Sequence, residues 1–207
     1  MTGVQTCALP ISEDVSLPAL RAAAQGKKPH KEAVCAKLFW NITSRVMGED
    51  DFTRDREKPG LNALLNYGYA VLLSTVLQKL FAVGLDPTFG LSHATRERST
   101  PLAYDIMEPF RPCVDWRVFQ WAMQWRAGFE PAAGEGGGNN GSAPLAVTKE
   151  FRKWVTAFPL VRVEWGEMTL SVEGVIEGVV RGFRRAVLEG QSRFYRPWTP
   201  RNSKWAG

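Results

Sequence analysis

The stretch LNALLNYGYAVLLSTVLQKLFAV, residues 61–83, constrains the chain more than any other feature. Leu61, Leu64, Leu65, Leu72, Val76 and Leu80 recur at the three- and four-residue spacing of an α-helix. They give it a broad core-facing surface, so the spacing predicts a long buried helix over 60–83, ended by Gly84. The segments around it read the same way. Residues 13–26 are a short helix or connector, and 29–43 are a helix with Pro29 near its first turn. Residues 45–59 form a charged loop. Residues 101–128 are mainly helical, and Pro109 and Pro112 are expected to kink them. Residues 148–157 and 170–189 complete the helices; the last carries Val172, Val175, Ile176, Val179, Phe183 and Val187 at helical spacing. Val161, Val163 and Trp165 alternate before Gly166, which predicts at most a short β-hairpin near 161–168. The chain is therefore mainly α.

The organisation expected is a helical domain over 13–130, a Gly-rich linker at 131–144 (PAAGEGGGNNGSAP), and C-terminal helices with a basic tail over 145–207. The first twelve residues, MTGVQTCALPIS, carry no charge and lack the pattern of a signal peptide. The first eleven of them, MTGVQTCALPI, match the translation of a common short-read library adapter from a GTG start, so residues 1 to about 12 are expected to be adapter-derived, with the gene entering at about Glu13.

Apolar residues make up 44% and charged residues 23%, which excludes wholesale disorder. No apolar run approaches the ~18 residues of a membrane span. Cys7, Cys35 and Cys113 form neither a disulfide framework nor a zinc-ligand spacing. A reducing cytoplasmic setting is the expectation. The net charge of +5 and pI of about 9.3 fit a polyanionic partner. The excess gathers at the end: from Arg181 onward there are seven basic residues (Arg181, Arg184, Arg185, Arg193, Arg196, Arg201, Lys204) against one acid, Glu189. Arg193, Phe194, Tyr195, Arg196 and Trp198 combine rings for base stacking with cations for phosphates, so the tail is expected to favour nucleic acid.

Three residues carry candidate chemistry. On a helical wheel at about 100° per residue, Cys35, Ala36, Phe39 and Trp40 all lie within about 80° of Glu32. A carboxylate in such an apolar arc needs a cation, a donor or a raised pKa, and a salt bridge to an arginine would serve as well. His93 follows a Gly90-Leu91-Ser92 turn. Glu108 lies in YDIMEPFRP, three residues after Asp105 and on its helical face; surface acids would show the same spacing. Two carboxylates and an imidazole suit Mg²⁺ or Mn²⁺. Such an ion polarises a phosphate and activates a water or a 3′-hydroxyl. Arg96, Arg98 and Arg111 flank these segments as phosphate contacts or as solvated surface charges.

The motifs KEAVCAKLFW (31–40), RDREKPGLNALLNYGYAVL (54–72), LDPTFGLSH (85–93) and PLAYDIMEPFRPCVD (101–115) resemble the CRISPR-associated integrase that captures new spacers, especially its type II form. The resemblance covers 13–128 well and 145–189 more loosely. It implies the family's helical catalytic domain, with the β-rich N-terminal domain missing. It implies that Glu32, His93 and Glu108 hold Mg²⁺ or Mn²⁺, that Asp105 supports them, and that Asn66, Tyr67 and Tyr69 shape the pocket unless packing alone explains them. It implies attack of a captured fragment's 3′-hydroxyl on double-stranded repeat DNA. Arg96, Arg98, Arg111, Arg181, Arg184 and Arg185 would meet the DNA. Homodimers around a small ferredoxin-like partner are implied in a prokaryotic cytoplasm. A DNA-binding subunit without chemistry, an inactive fragment, and an unrelated metal-dependent hydrolase of a small substrate are the competing readings.

Overall fold

The computed structural model describes residues 17–25, 31–47, 52–91, 100–128 and 144–198. The expected adapter segment and most of the Gly-rich stretch lie outside these residues.

Seven helices and one hairpin make up the described chain: α1 (Leu17–Gln25), α2 (Lys31–Val46), α3 (Leu61–Ala82), α4 (Pro101–Met107), α5 (Arg111–Arg126), α6 (Lys149–Thr156), β1 (Arg162–Trp165), β2 (Met168–Ser171) and α7 (Val172–Glu189). The protein is mainly α. α3 is its axis and lies against α4, α5, α6 and α7. Leu61, Leu64, Leu65, Leu72, Val76 and Leu80 are all buried, as the spacing predicts. Fully burying one such side chain contributes ~1.5–3 kcal/mol, so this face dominates the packing. Where α3 meets α5 the Val114 side chain packs directly on Gly68: a Cβ there would stand 2.6 Å from Val114 Cγ1. Glycine is what allows the approach. Gly84 (φ 71°) ends the helix in the left-handed region.

The two prolines break the 101–128 run instead of kinking it. α4 stops at Met107, a 3-10 turn spans Glu108–Phe110, and α5 starts at Arg111 with Pro112 in its first turn. A first-turn amide has no partner inside its own helix, so Pro112 costs α5 no hydrogen bond. Thr148 and Ser171 cap α6 and α7: each hydroxyl accepts the amide three residues on, at 3.1 Å.

The hairpin is antiparallel, pairing Arg162 with Ser171 and Trp165 with Met168 across Gly166-Glu167. It ends three residues later than expected, because β2 runs directly into the Ser171 cap of α7. α7 carries Gly174, Gly178 and Gly182 one turn apart. The Trp165 ring fills the space a Cβ on Gly178 would need, and the Phe194 carbonyl stands 2.7 Å from that position on Gly182. One cluster of buried residues, from Met47 to Trp198, unites both halves of the described chain. Lys79 bridges Glu173 and, at 3.5 Å, Glu177, tying α3 to α7. Among the described residues no helix is long and apolar enough to cross a membrane.

Two expectations need correction. Among the described side chains of α2, the buried ones lie in its C-terminal half, where Ile42 and Thr43 are buried and Trp40 packs on Phe52 and Phe119; Met47, just past its end, is buried too. Ala36, expected on the apolar arc, is exposed, as is Val34. The tail is not a free aromatic strip either. Trp198 is fully buried, stacked on Phe110 at 5.1 Å, and its Nε1 donates to the Glu164 carbonyl at 3.1 Å. Tyr195 packs edge-on against Phe183, and Arg185 lies 3.8 Å above the Phe194 ring. An indole closed into a core cannot stack on a base, so Trp198 anchors the tail instead.

Candidate active site

Glu108 is the expected metal residue whose surroundings are described. Its amide still donates to Tyr104, closing α4, while Pro109 after it has no amide with which to extend the helix. The side chain is therefore held at a break between helices, 44% exposed, and accepts from Arg111 Nη1 at 2.8 Å. Glu32 stands in the first turn of α2, with its side chain outside the described residues. His93, Arg96 and Arg98 lie outside them altogether. Among the described residues, no three His, Cys, Asp or Glu gather as a metal site.

Behind Glu108 lies a polar network that the sequence hides. The Arg111 guanidinium sits 4.7 Å from the centre of the Tyr69 ring, and that of Arg54 sits 5.6 Å from it. The Tyr69 hydroxyl donates to Asp115 Oδ1. Arg54 donates to Asn62 Oδ1 at 2.8 Å and to Asn66 Oδ1 at 2.6 Å. The two amides in turn donate to the backbone carbonyls of Thr53 (3.0 Å) and Arg56 (2.9 Å). Asn62, Asn66 and Tyr69 are spaced by four and three residues, so they form one stripe on α3. That stripe holds the 53–56 segment on one side and Asp115 of α5 on the other.

The electrostatics follow from burial. Burial pushes the Asp115 carboxyl up to about 6, although the Tyr69 hydroxyl and the Arg111 and Arg54 charges oppose it. Burial, then the Asp115 charge, raises the Tyr69 phenol, which keeps it a donor. Burial lowers Arg54, and Arg111 lowers it further. Burial also lowers Arg111, but Tyr69 and Glu108 outweigh it and the net shift is upward. Burial and Asp115 raise the Cys113 thiol, so it is a packing residue without thiolate character.

The remaining candidates separate. Asp105 Oδ2 accepts the Leu91 amide at 2.5 Å. Asn66 belongs to the network, whereas Tyr67 packs edge-on against Phe151 of α6. Arg181, Arg184 and Arg185 are exposed on α7; Arg181 pairs with Glu177 at 2.9 Å and Arg185 with Glu189 at 2.7 Å. Arg54, Asn62 and Asp115 went unnoticed as site residues. Their one signal was an acid, Asp115, lying between Val114 and Phe119 on an otherwise apolar face.

The described residues thus form a mainly helical body with a carboxylate set at a helix break above an arginine-rich network. The family model for CRISPR associated protein Cas1 matches residues 30–134. This chain belongs to the Cas1 family. A CRISPR-associated endonuclease Cas1 of Korarchaeum cryptofilum is 36% identical over 100 residues, covering 44% of this chain and 29% of the relative. A CRISPR-associated exonuclease Cas4/endonuclease Cas1 fusion of Geobacter sulfurreducens is 47% identical over 70 residues, covering 33% of this chain and 12% of that one. The chain thus spans about a third or less of the length of these curated relatives. Among solved structures, a casposase bound to its integration product shares the fold, with a TM-score of 0.61 at 22% identity over 81% of this chain and 52% of that one.

Proposed function

We propose that this chain is the helical catalytic part of a metal-dependent DNA integrase that inserts captured DNA fragments into a CRISPR array. The observation that carries the reading is the family match over 30–134, which includes Glu32, His93, Asp105 and Glu108. The casposase neighbour, bound to an integration product, supports double-stranded DNA as the substrate class. Glu32, His93 and Glu108 would hold Mg²⁺ or Mn²⁺; the half-exposed Glu108 carboxylate is a hard oxygen donor suited to either ion. When bound, the ion supplies Lewis-acid charge to the scissile phosphate. In the strand transfer, a fragment's 3′-hydroxyl oxygen bonds to phosphorus, its proton leaves, and the repeat strand's P–O3′ bond breaks with that oxygen taking a proton.

The chain's own residues prepare the reaction. Arg111 neutralises Glu108, and its stack on Tyr69 keeps a cation beside that carboxylate. Arg181 pairs with the exposed Glu177, and Arg185 pairs with Glu189 while lying over the Phe194 ring; such exposed pairs are weak, so phosphates compete for these arginines, as for Arg184. Arg96 and Arg98 would join them at DNA. A homodimer around a small ferredoxin-like partner belongs to the same proposal.

The test is thermal melting of the chain with and without Mn²⁺, beside Glu32→Ala, His93→Ala and Glu108→Ala. Binding to the folded state raises the wild-type melting temperature by mass action, and each variant loses the rise. A wild type indifferent to Mn²⁺, or any variant that keeps the full rise, removes that residue set as the metal site.

A further inference from the structure

Arg54 is a cation held by neutral groups. Its Nη1 donates to Asn62 Oδ1 at 2.8 Å and to the Asp55 carbonyl at 3.4 Å, and its Nη2 donates to Asn66 Oδ1 at 2.6 Å. Amides fix a guanidinium in place and leave its charge standing, whereas a carboxylate would cancel it. The neighbouring acid is engaged elsewhere, since Asp55 Oδ1 accepts the Glu57 amide at 2.9 Å. The cradle is itself fixed. Asn62 Oδ1 also accepts the Asp55 amide at 2.9 Å, and the Asn62 and Asn66 amide groups donate to the Thr53 and Arg56 carbonyls. The chain is thus pinned to α3 on both sides of Arg54.

A second guanidinium, that of Arg111, stands against the same tyrosine, 4.7 Å from the ring centre, where Arg54 stands at 5.6 Å. Its ion pair with Glu108 joins two side chains that are each more than a third exposed, so that pair is weak. After burial, the Arg111 and Arg56 charges push the Arg54 pKa down, which places three cations in one neighbourhood. An anion among them would relieve that repulsion. Asp115 is buried and takes the Tyr69 hydroxyl, so it offsets the cluster from within the core and not from its outer side. Each arginine has five N–H donors, more than the acceptors at hand. Among the described residues, the buried side-chain nitrogen without a partner is Arg117 Nε. Arg54 Nε, which makes no bond to these residues, is therefore open to solvent, as is one of the remaining Arg111 nitrogens.

We infer that Arg54 and Arg111, mounted on the Tyr69 ring, form a subsite for one phosphate group beside Glu108. Arg54 is the fixed member, and Arg111, held by a weak exposed pair, is the adjustable one. The chemistry is that of a phosphodiester or of free phosphate. This deepens the reading of the chain as acting on DNA, and rests on it for the source of the phosphate.

Two measurements decide. The first follows the arginine Nε–H signals of the full chain by NMR, assigned with Arg54→Lys and Arg111→Lys, as inorganic phosphate is added at constant ionic strength. The Arg54 and Arg111 signals are expected to shift together and to saturate; unmoved signals overturn the subsite. The second measures affinity for a short DNA duplex across salt concentrations. Arg54→Met is expected to reduce the slope of log affinity against log salt by ~0.9, the value for one lost phosphate contact, and Arg54→Lys to keep the slope. An unchanged slope in Arg54→Met, with its cooperative melt intact, overturns the proposal. Equal losses of slope in the Met and Lys variants overturn it as well, because the loss then comes from a loosened 53–56 segment and not from the charge. Should Arg54→Met lose its cooperative melt, the phosphate titration of the wild type decides alone. Saturable shifts in a wild type that does not bind the duplex keep the subsite, assign it to free phosphate, and remove the DNA reading.

Discussion

The two halves of α3 are built on different principles. Its C-terminal half, with Leu72, Val76 and Leu80, is held mainly by apolar burial, with the Lys79 pair to Glu173 and Glu177 at its edge. Its N-terminal half carries a second stripe, Asn62, Asn66 and Tyr69, which binds Arg54 and Asp115 through oriented hydrogen bonds. Apolar contacts are non-directional and tolerate small shifts. The polar stripe fixes where particular atoms stand, because a buried donor or acceptor that loses its partner is costly. The directional half is the one facing Arg111, and through it Glu108. One helix thus supplies stability at one end and precise placement at the other.

Three substitutions test the contrast, in order of expected effect. Leu72→Ala removes a fully buried side chain and is expected to cost ~2–5 kcal/mol in urea unfolding, mostly through the cavity it leaves. A loss below about 1 kcal/mol would show that the apolar half is less packed than described. Tyr69→Phe keeps the ring under Arg111 but leaves the Asp115 carboxyl without its donor. The expected cost is ~1–3 kcal/mol at neutral pH by the same assay, and a neutral outcome would remove the Tyr69–Asp115 bond from the network.

Asp115→Asn reads the same half through pH. The folded carboxyl is pushed up to about 6 from 3.8, so its stabilising contribution is complete below 3.8 and is lost as pH rises through about 6. Wild type should lose at most about 3 kcal/mol over that window from this group, and less with local relaxation. The asparagine variant lacks that slope, so its stability relative to wild type should rise from pH 4 to pH 6.5 and then stay level. Parallel stability curves across the window would place Asp115 in a more solvated setting.

The difference between the halves also explains what could be read from the residues. The Leu61 to Leu80 stripe announces itself, because burial of repeated apolar side chains leaves a period that no particular partner determines. The hairpin at Val163 and the last helix from Val172 are legible for the same reason. The polar stripe has no such period. Asn62 looks like an ordinary surface amide, and Asn66 stands out only through the family resemblance, until the 53–56 segment is folded over them; Arg54 is 15 residues from Tyr69 in sequence. Trp198 reads as a stacking residue for bases because composition cannot say whether a ring has a partner within the chain; Phe110, far away in sequence, is that partner. Glu108 and Asp105 stand out by spacing, but their separate attachments, to Arg111 and to the Leu91 amide, emerge only in three dimensions.

The Trp198–Phe110 stack has a consequence in time. It joins the tail to the turn at Glu108–Phe110, across 88 residues of sequence. Contacts of such long sequence separation form late and slow the folding of the chains that depend on them. The closing of Trp198 over Phe110 is therefore expected to come late, after the local turn that seats Glu108 and the helices around α3.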